Sequence, residues 1–300
     1  MSHAPRPTGT LFVVSTPIGN LEDITLRALR VLREAQVIAA EDTRHTGRLL
    51  THFGIATPTV SLHEHNEHAR SPQLLDRLRQ GEHVAIVTDA GTPLLSDPGL
   101  LLVQGAIAEG LRVEPVPGCS AILSALVGSG ISAREFAFLG FTPNKTAARK
   151  AWYRRADALG VPFVAFEAPH RLVASLQDAL AVLGPRHVVA SRELTKLHEE
   201  HVRGPVDTVI DRFERESPRG EFTLVFAAAD STADSDITQT DLSDEAIWRQ
   251  FCLLTKSGTA RRDAVTELAR RFGRPSREVY AAVERGKHER ATEVLVGQPE

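Results

Sequence analysis

Three short polar clusters, each directly behind an apolar run, hold the residues of this 300-residue chain whose types and spacing could do chemistry. They are Thr16-Pro-Ile-Gly-Asn20, Glu41-Asp-Thr-Arg44 and the stretch VTDAGTPLLSDPG from Val87 to Gly99. In the last, Gly91 and Gly99 permit φ > 0 or close approach of another group, while Pro93 and Pro98 fix φ and each remove a donor. Asp97 and Pro98 fit the N-cap and first position of the helix that Leu100 opens, which leaves Asp89 without a structural task. Side by side, the three clusters would floor one crevice with backbone amides, the Asp89 carboxylate and the charges of Glu41, Asp42 and Arg44. Taken alone, Glu41-Asp42-Arg44 also fits a helix N-terminus with a local salt bridge.

Other patterns are weaker. His63-Glu-His65-Asn-Glu-His68 and His198-Glu-Glu-His201 invite a metal, but neither is HExxH and no cysteine or spaced carboxylate closes a shell, so no metal site is expected. Gly128-Ser-Gly-Ile-Ser-Ala133 matches GxGxxA but follows a helical run, so it reads as a helix C-cap. No GxxxxGK[ST] occurs, and the letters GTP at Gly91 to Pro93 are not a phosphate loop.

Such clusters need a scaffold. Strand-like runs at Thr10–Val14, Val37–Ala40, His83–Val87 and Arg112–Val116 alternate with helical patterns at Leu21–Arg33, Pro72–Arg79 and up to Glu109, which implies a mostly parallel sheet. After the turn Pro117-Gly118, a helix over Ser120–Val127 leads into a second alternation. It has strands at Phe136–Phe141, Val161–Phe166, His187–Ser191 and Phe222–Ala227, and helices at Lys145–Leu159 and Leu172–Leu183. Two successive α/β sheets are therefore expected: a flexible start over 1–8, α/β domains at 9–117 and 118–229, an acidic linker at 230–245, and a basic helical module at 246–290. In that module Thr259–Arg271 carries Ala260, Ala264, Val265, Leu268 and Ala269 on one face. A second helix, Arg277–Arg285, would bury Val279, Tyr280 and Val283, giving a hairpin that resembles a helix-turn-helix. Its arginines, Arg261, Arg262, Arg270, Arg271, Arg274, Arg277 and Arg285, suit an RNA grip on a tether, although a solvated or dimer-stabilising cap fits too.

Composition sets outer limits. Apolar content of 42% supports real cores, and a net charge of −3 gives no global pull toward nucleic acid. Cys119 and Cys252 lack CxxC spacing, and neither an apolar leader nor a run of about 20 apolar residues occurs, so a cytosolic, non-membrane protein is expected.

TPIGN, AAEDTRHTG, TDAGTPLLSDPG, Pro117-Gly118-Cys119-Ser120-Ala121, Phe166-Glu-Ala-Pro-His-Arg171, Arg192-Glu-Leu-Thr-Lys196 and Gly220-Glu221 together resemble one family. It is the small-subunit ribosomal RNA cytidine 2′-O-methyltransferases, a branch of the tetrapyrrole methylase superfamily. The resemblance runs in order from about Gly9 to Ala228, with Cys119 standing where the family has a proline. It implies two α/β domains of the class III methyltransferase type with S-adenosylmethionine in the cleft between them, a homodimer, and methylation of a ribose hydroxyl in 16S rRNA of the small ribosomal subunit. It further implies that Pro17 and Ile18 line the donor site, that Asp89 meets the donor's amino group, and that Gly91 and Thr92 lie against it. Leu94 and Leu95 would pack beneath, Ser120 and Ala121 would meet its carboxylate at a helix N-terminus, Glu167 and Leu194 would lie near the adenosine, and Glu221 would border it.

A ribose hydroxyl is a weak nucleophile, so a positioned base is expected to help. Glu41 and Asp42 are preferred; Glu167, Lys145 and Lys196 are alternatives. Arg44, His65, Asn66, Lys145, Arg149, His170, Arg171 and Lys196 are cast as contacts to phosphate or cytidine. A tetrapyrrole C-methyltransferase shares the donor site but usually carries a glycine-rich first loop where this chain has Thr16–Asn20. A non-catalytic RNA-binding assembly factor would not need the donor loop.

Overall fold

The computed structural model describes residues 8–229, 244–256, 259–272 and 275–296. Residues 1–7, Arg274 and residues 230–243 of the expected linker at 230–245 lie outside the described residues, while its last two, Asp244 and Glu245, are helical. The chain divides into two compact units, Met1–Ala229 and Asp230–Glu300.

In the first unit, β1 (Thr10–Val14), β2 (Val37–Ala40), β3 (Thr59–Ser61), β4 (Val84–Val87) and β5 (Arg112–Val116) form one parallel sheet in the order β3-β2-β4-β1-β5. Strands β2 and β4 are buried throughout, as apolar runs covered on both faces should be. The covering helices are α1 (Leu26–Glu34), α2 (Thr43–His52), α3 (Glu67–Arg79) and α4 (Leu100–Ala108). Leu11, Val13 and Ile86 pack with Leu74, Leu78 and Leu102 on one side. Val14, Ile38 and Val87 pack with Val31, Leu32 and Leu50 on the other. Neighbours β1 and β4 send their connections in opposite directions, to β2 and to β5, so their carboxyl ends form a switch point of the kind that opens a ligand crevice.

Several helix starts differ from the sequence expectation. The run Leu21–Arg33 is split into a 3-10 turn, Leu21–Asp23, and α1, because both Asn20 and Thr25 cap: Thr25 Oγ1 accepts from Ala28 N at 3.0 Å. Helix α3 begins at Glu67 rather than Pro72; a turn tied by Asn66 Oδ1, which accepts from His63 N at 2.9 Å, starts it five residues earlier. Helix α4 is not capped by Asp97. Its N-cap is Gly99 at φ 114°, and Glu67 Oε1 accepts from Gly99 N at 3.0 Å and Leu101 N at 2.7 Å.

After α5 (Ala121–Ser129), the second sheet comprises β6 (Ala137–Phe141), β7 (Phe163–Glu167), β8 (His187–Arg192), β9 (Glu200–Pro205) and β10 (Phe222–Phe226), with α6 (Thr146–Asp157), α7 (Leu172–Leu183) and α8 (Val206–Arg215). Its order is β6-β7-β10-β8-β9; only β6 and β7 pair in parallel, so the sheet is mixed. Gly130, in the left-handed region at φ 75°, ends α5, which gives Gly128–Ala133 its C-cap role.

The second unit holds α9 (Asp244–Lys256), α10 (Arg261–Phe272) and α11 (Ser276–Val296), three helices rather than a two-helix hairpin. Ile247, Phe251, Ala264, Leu268, Val279, Ala282 and Val283 form its core, and α9 completes it. Tyr280 is 58% exposed and Ala260 is exposed, against expectation, because α9 covers the face through Val279 and Val283.

Candidate active site

A cleft of about 570 Å³ opens at the carboxyl ends of β1 and β4 and is closed on its other side by the second sheet. That is the size of a small-ligand site. Its wall on the first sheet is made by Ile18, Glu41, the segment Thr88–Thr92 and Leu95, Ser96 and Asp97. Across from it stand Phe141, Phe166, Glu167, His170, Leu194 and Lys196, with Ser120 and Ala121 at one end and Glu221 preceding β10.

Backbone pairing fixes two of the loops that line the cleft. Thr16 N donates to Gly91 O at 2.9 Å and Gly91 N to Thr16 O at 3.0 Å, an antiparallel bridge past the ends of β1 and β4. Gly91 sits at φ 84°, where a side chain is strained, and a Cβ there would lie 3.3 Å from Ile18 Cγ2, a tight contact that Ile18 would have to relieve. Thr92 Oγ1 donates to Cys119 O at 3.1 Å, tying this loop to the turn before α5, whose N-cap is Ser120. Ser120, Ala121 and Ile122 at that helix start line the cleft, and free amides at a helix N-terminus favour an anion.

Three carboxylates gather around Thr88. Glu41 Oε2 accepts from Thr88 Oγ1 at 2.7 Å, and Asp89 Oδ1 accepts from Asp42 N at 3.1 Å. Burial raises the Asp89 carboxyl, opposed by the Asp42 amide and reinforced by the charge of Glu41. Burial also raises Asp97, to about 6, against a hydrogen bond from Thr88 and with help from the charges of Glu41 and Asp89. Asp97 is therefore a site residue that sequence reasoning gave to helix capping. The available signal was Gly99, itself an acceptable N-cap.

The structure gathers Ile18, Glu41, Asp89, Gly91, Thr92, Leu95, Ser120, Ala121, Glu167, His170, Leu194, Lys196 and Glu221 at the cleft. It does not bring the others there. Pro17 lines a smaller recess of about 160 Å³ with His45 and Arg48, which shares Thr88 and Asp89 with the cleft. Leu94 packs into the core below. Asp42 caps α2, and its hydrogen bond with the Arg44 side chain holds its carboxyl down at about 2, which makes it a poor proton acceptor. Arg44 is thereby spent on Asp42.

Three of the residues expected to contact RNA have partners within the chain. Arg149 is buried: its Nε and Nη2 donate to Asp178 Oδ2 at 2.9 and 2.6 Å, and its Nη1 to Pro143 O and Asn144 O. Arg171 is held by Glu167 and by Thr142 O, and the same pairing engages the Glu167 carboxylate. Asn66 spends its side chain on His63 N and Ser61. His65 and Lys145 are exposed but outside the cleft, and Lys196 pairs with Glu193 at 3.0 Å. Among the described residues no three His, Cys, Asp or Glu side chains gather as metal ligands.

Two α/β layers with a ligand-sized cleft at the first sheet's switch point are the architecture of a small-ligand-binding α/β protein. The chain belongs to the family of tetrapyrrole (corrin/porphyrin) methylases, whose pattern it matches over residues 10–210. Among solved structures it is similar in fold to uroporphyrin-III-C-methyltransferase from Thermus thermophilus, with TM-score 0.53 and 21% identity over 77% of this chain and 100% of that one. Diphthine synthase is also similar, with TM-score 0.56 and 15% identity over 73% and 90%. In sequence the chain is similar to ribosomal RNA small subunit methyltransferase I of Halalkalibacterium halodurans, 41% identical over 91% of this chain and 93% of that one. The protein of the same name from Pseudomonas aeruginosa is 48% identical over 73% and 79%.

Proposed function

We propose that the chain is an S-adenosylmethionine-dependent methyltransferase acting on the 2′-hydroxyl of a cytidine ribose in 16S rRNA of the small ribosomal subunit, in the cytoplasm. The observation that carries this reading is the cleft, whose lining comes from the loops that follow β1, β2 and β4 and from the start of α5. The relatives' printed name supplies the substrate class.

The cleft fits the donor by charge and shape. Asp89 suits its ammonium group, the amide end of α5 at Ser120 and Ala121 suits its carboxylate, and Ile18, Leu95 and Leu194 offer apolar contact. The close approach at Gly91 leaves room beside Ile18, and Thr92, Glu167 and Glu221 complete the wall. Bound S-adenosylmethionine supplies an electrophilic methyl group on a sulfonium. The chain's residues have to hold the ribose oxygen in line and exclude water, which is largely a matter of positioning. Lys196 and His170 line the side from which a phosphate would approach, and exposed Arg261, Arg262 and Arg277 of the helical unit suit further RNA contact.

The test is transfer of labelled methyl to small ribosomal subunits lacking the modification, by the full chain and by a chain ending at Ala229. Transfer to the 2′-oxygen of a cytidine is expected, with a raised KM for the shorter chain. Transfer to a tetrapyrrole and not to RNA would refute the reading. Asp89→Asn is expected to weaken donor binding by about tenfold or more, since a charge-assisted hydrogen bond becomes neutral. Unchanged affinity by calorimetry would take Asp89 out of the donor site.

We also propose a homodimer. Helices α4 and α5 are apolar nearly all round, a pattern that belongs to buried helices, yet Leu100, Ile107, Leu123 and Val127 are exposed, Val127 at 81%. Sedimentation is expected to show a dimer that Ile107→Glu or Val127→Glu converts to a monomer. A monomeric parent chain refutes it.

A further inference from the structure

We propose that Asp97 is the group that accepts the proton of the substrate hydroxyl during methyl transfer, an inference that rests on the O-methyltransferase reading above. Four observations converge on it. Glu67 takes over the start of α4, so the Asp97 carboxylate is not needed as a cap. The backbone is bent to present it: Leu94 and Ser96 lie at φ 74° and 77°, a left-handed conformation that non-glycine residues adopt only under compensation. This bend sends Leu94 into the core and turns Leu95, Ser96 and Asp97 into the cleft. Among the described residues no ion pair involves Asp97; its neighbours are Thr88, Glu41 and Asp89.

Apart from His170 across the cleft, the titratable groups facing it have other partners or the same sign. Glu41 accepts from Thr88, Asp89 from the Asp42 amide, and Glu67 from the start of α4. Across the cleft Lys196 is paired with Glu193, Glu167 with Arg171, and His170 and Glu221 complete the lining. Of the two bases expected from sequence, Asp42 is outside the cleft and paired with Arg44, while Glu41 lines the cleft with its carboxylate on Thr88.

The step balances without a further reactant. The ribose oxygen bonds the methyl carbon, the carbon–sulfur electron pair stays on sulfur, and the hydroxyl proton passes to an Asp97 oxygen and from there to water. A carboxyl raised to about 6 is still ionised at neutral pH, yet accepts a proton more readily than an ordinary carboxylate. Below pH 6 it is already protonated and the step loses its acceptor.

The experiment compares the parent with Asp97→Asn and Glu41→Gln in single-turnover methyl transfer to small ribosomal subunits between pH 5 and 8. Donor affinity is measured by calorimetry, and thermal unfolding without donor at the same pH values. Asp97→Asn is expected to keep its donor affinity, to lose on the order of 10²–10⁴-fold in rate at pH 8, and to lose the rise in rate centred near pH 6 that the parent shows. Without donor, the variant is expected to melt about 2–4 °C above the parent at pH 8, the gap closing as pH falls toward 4. An undiminished rate, a pH profile kept in Asp97→Asn but lost in Glu41→Gln, donor affinity falling in step with rate, or the absence of a melting difference at pH 8 would each overturn the assignment. A parent chain that binds donor but transfers no methyl to RNA would overturn the O-methyltransferase reading and the proposal with it.

Discussion

Arg149→Ala is expected to destabilise the first unit by about 3–5 kcal/mol, the usual cost of leaving one partner of a buried ion pair behind. The Arg149 and Asp178 side chains are 5% and 10% exposed, so the orphaned carboxylate stays out of water. Lys150, with Nζ 3.5 Å from Asp178 Oδ1, is the only other cation paired with it among the described residues and is itself more than a third exposed. The substitution also frees Pro143 O and Asn144 O, which Arg149 holds at 3.3 and 3.2 Å where the chain enters α6. Urea unfolding followed through Trp152, on the same helix, reads the loss. Replacing both partners, Arg149→Met with Asp178→Leu, is expected to recover most of it, since the apolar pair has no charge to desolvate. A single-variant loss below about 1 kcal/mol would mean that the pair is solvated in solution.

Glu67→Ala acts on the site from a distance. It leaves Gly99 N and Leu101 N without their acceptor, and hydrogen bonds to a charged group are worth about 1.5–3 kcal/mol each, so a loss of about 3–6 kcal/mol is expected. The same bonds anchor the far end of the loop that carries Leu95 and Asp97, so donor affinity is expected to fall by about tenfold as well. Glu67→Gln retains an oxygen acceptor and is expected to lose less than about 1 kcal/mol. Denaturation and calorimetry on the three chains decide it; wild-type stability in Glu67→Ala would show that water caps the helix equally well.

Both residues mark the limit of what could be read from the chain alone. Strands β1, β2, β4 and β5 and helix α7 are legible because their apolar runs are local and their flanking turns unambiguous. Helix α8 carries a helical signal in Val206, Val209, Ile210 and Phe213 that a reading centred on polar clusters passes over. Strand β9, Glu200–Pro205, is an edge strand with charges and a Gly-Pro, which resembles a loop until β8 is placed beside it. The cleft itself was legible in its three loops, since each follows a strand. The partners of Arg149 and Glu67 lie 29 and 32 residues away, beyond any local rule, and an arginine near a predicted RNA surface is the residue type most easily mistaken for a contact. Asp97 failed for the opposite reason: a local rule fitted it well, and a tertiary bond from Glu67 made that rule unnecessary.

The order of the first sheet also governs how the chain is born. Strand β1 emerges from the synthesising ribosome before β4 and β5, the strands it pairs with among the described residues, so TLFVV waits for residues beyond Val84 to follow it out. At about 5–20 residues per second that interval lasts roughly 4–15 s. During it an apolar strand with both edges open is a target for chaperones and for other nascent chains. Substitutions that slow the pairing of β4 are therefore expected to lower the yield of folded protein in cells more than they lower the stability of the protein once made.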